Sequence, residues 1–266
     1  MSVTTSIATH WRGPALAAAA GLLLAGCATP QDPHDPFEKF NRAMFTVNDA
    51  VDRTALKPVA TVYKEYTPSF VQTGVNNFFG NLADVWSGLN NLLQGKGQDG
   101  MSDLTRFALN STFGIVGLLD IASQAGLQKH SEDLGQTLGV WGVPSGPYLM
   151  LPLLGPSTLR DTAALPADLW GNPWNHKEPV RWRNVGIGVR AVDQRATVLD
   201  ASNLMEEAAL DRYEFIRDGF LQRRESQVYD GEPPRKQGQS KLDDADAAAP
   251  QPKQAVASVS SETPAK

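Results

Sequence analysis

The sequence predicts an all-α fold, and two observations favour this class. Apolar residues recur at spacings of three and four in several segments, the period of one helix face. Proline and Asx signals for helix starts precede these segments, whereas no segment of any length alternates apolar and polar residues as a half-buried strand does. We therefore expect a body built from helices.

The first predicted helix has Asp35 as its N-cap, Pro36 at its first position and Glu38 in its first turn. Five apolar side chains then form one stripe: Phe37, Phe40, Met44, Val47 and Val51. Pro58 is expected to end this helix, because proline lacks the N–H that a helix interior uses. A short helix is predicted over residues 59–66.

The next helix is expected to begin after Thr67 and Pro68, and its two faces differ. One face is apolar: Val71, Val75, Phe78, Phe79, Leu82, Trp86, Leu89, Leu92 and Leu93. The other is polar and nearly uncharged: Gln72, Thr73, Asn76, Asn77, Asn81, Asn90, Asn91 and Gln94. Such a helix is either buried between neighbours, or has lipid or protein on one side and a wet, uncharged lumen on the other. Further helices are predicted over residues 101–110 and 210–220.

The middle of the chain is poor in charge. Residues 66–160 hold ten charged side chains, and residues 135–159 hold none. Four prolines and five glycines prevent this 25-residue run from forming a straight helix. Irregular backbone at membrane depth must be buried in protein or line a wet cavity. We expect a broken or hairpin element within a membrane-embedded body, or a buried loop in a soluble core.

The N-terminus predicts a lipid anchor. Residues 14–25 are uncharged, follow Arg12, and are too few to span a bilayer as a helix. The sequence Leu-Ala-Gly-Cys that ends at Cys27, the only cysteine, resembles the bacterial lipobox. We expect a signal peptide over residues 1–26, and a diacylglycerol and an N-acyl chain on Cys27. A lipidated tether over 27–34, a folded body over 35–230 and a disordered tail over 231–266 complete the prediction.

Several classes of function are disfavoured. The chain has 24 basic and 29 acidic residues, which argues against nucleic acid as a partner. One cysteine and scattered histidines disfavour a metal site, and no arrangement supplies a nucleophile with a base. We expect no enzyme activity, no metal and no cofactor beyond the acyl chains. Arg106 and Arg160 each border an apolar run. Each could pair with lipid phosphate; the alternative partner is Asp103 for Arg106 and Asp161 for Arg160.

Blocks spread over the whole predicted body carry a family resemblance: residues 35–45, 56–60, 74–82, 91–95, 105–107, 146–148, 159–161 and 221–224. Together with the lipobox, they are similar to the MlaA (VacJ) outer-membrane lipoproteins. The tail lies outside the resemblance.

The resemblance implies a ring-like bundle of amphipathic helices around a central amphipathic pore, embedded in one membrane leaflet. It implies a lipid-anchored protein on the periplasmic side of the outer membrane that partners a trimeric porin. Such a protein would remove misplaced phospholipids from the outer leaflet and pass them to a soluble periplasmic lipid carrier of the MlaC type. The alternative is a scaffold lipoprotein that docks on porins without moving lipid.

Carried onto this sequence, the uncharged run would line or adjoin the pore. The expected lipid contacts are Tyr148, Met150, Leu151, Leu153 and Leu154, with Arg160 at the exit of the pathway.

Overall fold

The structure, a computed structural model, describes residues 35–234. Cys27, the predicted signal peptide and most of the predicted tail lie outside these residues. Ten α-helices are present in the described part: α1 Glu38–Val51, α2 Lys57–Tyr66, α3 Ser69–Leu93, α4 Gly97–Phe113, α5 Ile121–Gln124, α6 Leu134–Val140, α7 Leu159–Gly171, α8 Val180–Thr197, α9 Leu199–Ala208 and α10 Arg212–Val228. A π-helical turn (Asp52–Leu56) precedes α2, and a 3₁₀ turn (Pro173–His176) precedes α8. The described part is mostly helical, which agrees in part with the predicted all-α class.

The start of α1 differs from the prediction. The helix begins at Glu38, and Asp35 does not cap it, because its carboxylate accepts hydrogen bonds from Asn41 (2.7 Å) and from the hydroxyl of Tyr213 in α10. Arg42 makes a second connection to the same region, with ion pairs to Asp211 (2.8 Å) and to Glu214 of α10 (2.9 Å). The first and last helices of the described body are therefore joined.

Pro58 does not end the first helical segment. The π-helical turn carries the chain from α1 into α2, so that Pro58 falls in the first turn of α2. Pro58, which has no N–H to donate, thus stands where the backbone changes from π-helical to α-helical hydrogen bonding. The predicted end of α2 at Tyr66 is confirmed, as is the start of α3 directly after Pro68.

A short β-hairpin interrupts the helices and corrects the expectation that strands are absent. Strand β1 (Tyr148–Leu151) pairs antiparallel with β2 (Gly155–Thr158), with Tyr148 opposite Thr158. Each strand has four residues, too few for alternation to stand out in the sequence. The uncharged run therefore contains most of α6 and a β-hairpin. A hairpin was one of the forms expected for this run.

Helices α3 and α4 approach each other closely at two glycines. A Cβ atom on Gly100 would lie 2.8 Å from the carbonyl oxygen of Gly88, and one on Gly88 would lie 3.0 Å from the carbonyl of Gly100. Real Cβ contacts are not this short, so the two backbones can touch only because neither residue has a side chain. This contact brings the polar face of α3 within reach of α4.

The interior of the described body is unusually polar. Buried polar and charged side chains outnumber buried apolar ones among residues 35–234, eighteen to ten. The apolar residues form two small clusters, one around Ala60, Ala196 and Leu199, and one around Tyr148, Met150 and Tyr213. Globular proteins in water normally bury apolar residues and expose charged ones. Here this preference is partly reversed.

Candidate functional site

The C-terminal half of helix α3 buries polar side chains and exposes apolar ones, the reverse of a surface helix in a soluble protein. Its residues Asn81, Asn90 and Asn91 are at most 3% exposed. Leu92 and Leu93, from the apolar face, are 40% and 43% exposed. In the C-terminal half of α3 the polar face is buried against neighbours, as the first alternative predicted, and the end of the apolar face is exposed, whereas Thr73 and Asn76 of the polar face are exposed nearer the start of the helix.

Helices α4 and α6 provide the partners of this polar face. The carboxylate of Asp103 in α4 accepts hydrogen bonds from Ser87 (3.1 Å) and Asn91 (2.9 Å). The hydroxyl of Thr137 in α6 donates to the side-chain oxygen of Asn90 at 2.8 Å. Buried polar groups need such partners, because an unpaired one costs about 1–3 kcal/mol. The network fixes the rotation of α3, and with it the outward direction of the exposed leucines.

Arg106 of α4 is buried and paired with protein carboxylates. It is 1% exposed, donates to both carboxylate oxygens of Asp120 at 3.0 Å, and lies 3.5 Å from Asp84. It also donates to the carbonyl of Leu127 at 2.6 Å. The structure thus has the ion-pair alternative for Arg106, although the partners are Asp120 and Asp84 instead of the expected Asp103.

The hairpin holds most of the predicted lipid contacts, and the structure divides them into two groups. Tyr148 and Met150 are 0% and 2% exposed and pack against α10. Leu153 and Leu154 lie at the turn and are 72% and 63% exposed, and Leu151 is partly buried. In this conformation the two leucines at the turn are accessible to lipid, whereas Tyr148 and Met150 are covered. Lipid contact at these positions stays a prediction.

Two asparagines of α1 hold the hairpin, and the sequence analysis did not identify them. Asn41 donates to the carbonyl of Tyr148 (3.0 Å) and accepts from the N–H of Met150 (2.8 Å). Asn48, two helical turns later, makes the same pair of bonds further along the hairpin at 2.9 and 2.8 Å. Each side-chain amide pairs with the strand backbone as a neighbouring strand would. The only sequence signal was two asparagines spaced by seven residues in an amphipathic helix.

Arg160, the predicted exit residue, is buried beside a second arginine. Its Nε donates to Asp161 at 3.1 Å, so the structure has the ion-pair alternative here as well. Arg224 of α10 bridges Asp133 (2.6 and 2.7 Å) and Asp161 (2.8 and 3.0 Å). Burial acts to lower the pKa of Arg224, but hydrogen bonds to Asp133 and Asp161 outweigh it and raise that pKa. Arg224 thereby joins α10 to the starts of α6 and α7.

Two cavities of about 210 and 170 Å³ lie beside α3, and Arg190 of α8 borders both. The larger is lined by Ala83, Trp86, Ser87, Lys129, His130, Ser131, Glu132, Asp168, Asn172 and Arg190. The smaller is lined by Asn76, Phe79, Gly80, Arg190, Asp193 and Gln194. Their walls therefore mix aromatic, amide and charged side chains. None of the six predicted pathway residues is among those lining either cavity.

Large apolar side chains are exposed on many elements of the described body. Examples that are more than half exposed are Tyr66, Phe70, Phe113, Ile115, Val116, Trp141, Leu153, Leu154, Trp170 and Trp182. Exposed apolar surface of this extent marks contact with a membrane or with another protein. Within residues 35–234 no helix has the length and apolar character needed to cross a bilayer, and no group of histidine and acidic side chains suits a metal ion.

Comparisons with known proteins agree with one another. A family model described as MlaA lipoprotein matches residues 33–227. The intermembrane phospholipid transport system lipoprotein MlaA of Escherichia coli is 34% identical over 79% of this chain and 86% of its own length. The protein of the same name from Haemophilus influenzae is 31% identical over 79% of this chain and 88% of its own length.

A solved structure gives the same result for the fold. It comes from a study of the structural basis for maintenance of bacterial outer membrane lipid asymmetry, and it is 34% identical in sequence to this chain. It aligns with a TM-score of 0.65, over 73% of this chain and 98% of its own. The chain therefore belongs to the MlaA lipoprotein family.

Proposed function

We propose that this chain is a lipoprotein of an intermembrane phospholipid transport system. It removes misplaced phospholipids from the outer leaflet of the outer membrane through an amphipathic channel and passes them to a soluble periplasmic carrier, so that lipid asymmetry is maintained. The names of its relatives in E. coli and H. influenzae support the transport system, and the similar solved structure supports the link to lipid asymmetry. This role is that of a transport lipoprotein and requires no catalytic chemistry.

The observation that carries the proposal is the orientation of the C-terminal half of α3, where leucines are exposed and asparagines are buried. A phospholipid has a headgroup that needs polar partners and tails that need apolar surroundings. An unpaired polar group in hydrocarbon costs several kilocalories per mole. A body with an apolar exterior can lie among acyl chains, while polar cavities beside α3 receive the headgroup. The barrier to crossing the leaflet then falls without covalent chemistry.

The proposal includes a position in the membrane and two protein partners. More than one acyl chain on Cys27 would anchor the protein stably, because each buried CH₂ contributes about 0.8 kcal/mol. The anchor would hold the body at the periplasmic side of the outer membrane, with a trimeric porin beside it. A periplasmic carrier would then collect the lipid.

The first test compares outer-leaflet phospholipid in wild-type cells and in cells that lack the gene. Intact cells are labelled with a membrane-impermeant amine reagent, which reaches only phosphatidylethanolamine in the outer leaflet. We expect more label after deletion, a return to the wild-type value with the wild-type gene, and no return with Cys27→Ala. No rise on deletion would contradict lipid removal and favour the scaffold that docks on porins.

A further inference from the structure

Arg190 is partly buried and differs from the buried arginines in having no carboxylate partner among residues 35–234. Arg106, Arg160 and Arg224 each pair with carboxylates at 3.1 Å or less. Within residues 35–234, the guanidinium of Arg190 has no hydrogen bond or ion pair, and burial alone lowers its pKa. The guanidinium carbon lies 5.9 Å from the centroid of the Phe79 ring. Guanidinium carries five donors and stays charged in proteins, so an anion is the missing partner.

The acidic groups around the cavities are engaged elsewhere and do not neutralise Arg190. Asp193 accepts from the hydroxyl of Tyr63 at 3.0 Å, and Asp168 accepts from the indole N–H of Trp86 at 2.9 Å. Glu132 accepts from Gln94 at 2.8 Å, and burial raises the pKa of both Asp168 and Glu132.

The other cation in the walls is already paired. Lys129 donates to the carbonyl of Gly80 at 2.9 Å and forms an ion pair with Asp84. Among the described lining residues, Arg190 is therefore the cation left without a carboxylate, and it borders both cavities. Planar guanidinium matches two oxygens of a phosphate group, and the rings of Trp86 in the larger cavity and Phe79 in the smaller one offer apolar contact.

We propose that Arg190 binds the phosphodiester of a phospholipid headgroup as the lipid passes along the cavities beside α3. This inference rests on the proposed function, because it takes the transported lipid as the ligand. One arginine with no second free cation gives a weak site, which suits a molecule that must be released.

The test measures binding to the full-length lipidated protein in maltoside detergent by isothermal titration calorimetry. Three probes separate the sources of the ligand: dihexanoyl phosphatidylethanolamine, dihexanoylglycerol without phosphate, and inorganic phosphate. We expect binding of the phospholipid alone. Arg190→Met should weaken it about tenfold or more, as expected for lost charge-assisted hydrogen bonds, and Arg190→Lys should weaken it less. Arg181→Ala, an exposed arginine in the first turn of the same helix, should leave it unchanged.

Thermal unfolding separates ligand binding from a structural role. Removal of an unpaired, desolvated charge should leave the melting temperature of Arg190→Met equal to or above the wild-type value. The assignment would be overturned if Arg190→Met bound the phospholipid as tightly as wild type, or if wild type bound inorganic phosphate as tightly as the phospholipid. It would also be overturned if Arg190→Met lowered the melting temperature by an amount that, as free energy, matched its loss of phospholipid binding. The outer-leaflet labelling tests the proposed function separately, because the calorimetry requires neither transport nor partners.

Discussion

Arg224 gives the sharpest test of how the body is held together. Its side chain is 10% exposed and makes four hydrogen bonds, two to Asp133 and two to Asp161. Arg224→Ala leaves the carboxylate of Asp133 without a counter-charge, and that of Asp161 with Arg160 alone. Loss of one partner of a buried ion pair costs about 3–5 kcal/mol. Since the side chain of Asp133 is 34% exposed and keeps some water, we expect the lower end, about 3 kcal/mol.

The assay is thermal unfolding followed by circular dichroism in detergent at pH 7.5. For a domain of this size 1 kcal/mol corresponds to about 2–4 °C, so the melting temperature should fall by about 6–12 °C. Arg223→Ala is the matched control, because Arg223 is the adjacent residue on α10 and is exposed. A surface change of this kind alters the melting temperature by about 2 °C or less.

The pH dependence provides the result that would refute the reasoning. Burial acts to raise the pKa of Asp133, but its bonds to Arg224 outweigh this and lower it. The resulting stabilisation is present above the unfolded pKa of about 4 and is lost as the pH falls through the folded value. In Arg224→Ala the buried carboxyl of Asp133 loses this stabilisation of its charged form and takes up its proton at higher pH, so the difference in melting temperature from wild type should narrow between pH 7.5 and 4.5. The role of Arg224 as a buried counter-charge would be refuted if Arg224→Ala lowered the melting temperature by less than about 2 °C at pH 7.5. It would also be refuted if the difference in melting temperature between Arg224→Ala and wild type did not change with pH.

Three further predictions concern the hairpin and the packing of α8. Asn41→Leu should lower the melting temperature by at least about 4 °C, because it leaves two hairpin backbone groups unpaired; a shift like that of an exposed-site variant would contradict this. Gly186→Ala should destabilise by about 1–3 kcal/mol, since its Cβ would lie 2.2 Å from a tryptophan ring. Gly188→Ala, which has open space around it, should leave the melting temperature unchanged or raise it. Equal effects of Gly186→Ala and Gly188→Ala would show that the contact of Gly186 with the tryptophan ring is unimportant. Leu151→Asp should block restoration of lipid asymmetry in the deletion strain more than Leu242→Asp in the predicted tail, and equal tolerance would remove the hairpin from the pathway.

Local sequence signals predicted the helical segments well where neighbours do not interfere. The end of α2 at Tyr66 and the start of α3 after Pro68 follow from proline geometry alone, and both are confirmed. The expected cap at Asp35 was wrong because Tyr213, 178 residues further along the chain, donates to the same carboxylate. Only the three-dimensional fold brings such a competing donor to a cap residue.

The candidate site was less accessible from the sequence. An uncharged run selected Tyr148 and Met150, but α10 covers both, and no periodicity within the run reveals that contact. The two faces of α3 were visible in the sequence, whereas their inward and outward directions depend on partners in α4 and α6. Arg190 follows Trp182, in a part of the sequence where charged residues are again frequent. Its lack of a carboxylate partner is a property of the fold and leaves no trace in the sequence.

The junction of α1 with α10 has a consequence for how the chain reaches its native state. Asp35 and Arg42 find their long-range partners only after α10 has been made, 169 to 182 residues later. Contacts of such long sequence separation form late and slow down folding. A chain that emerges N-terminus first must therefore keep α1 without its final partners until its last helix arrives. Truncation before α10 would leave Asp35 and Arg42 with only their local partners, Asn41 and Glu38, and would uncover the apolar cluster around Tyr148. Such a species would be prone to aggregate.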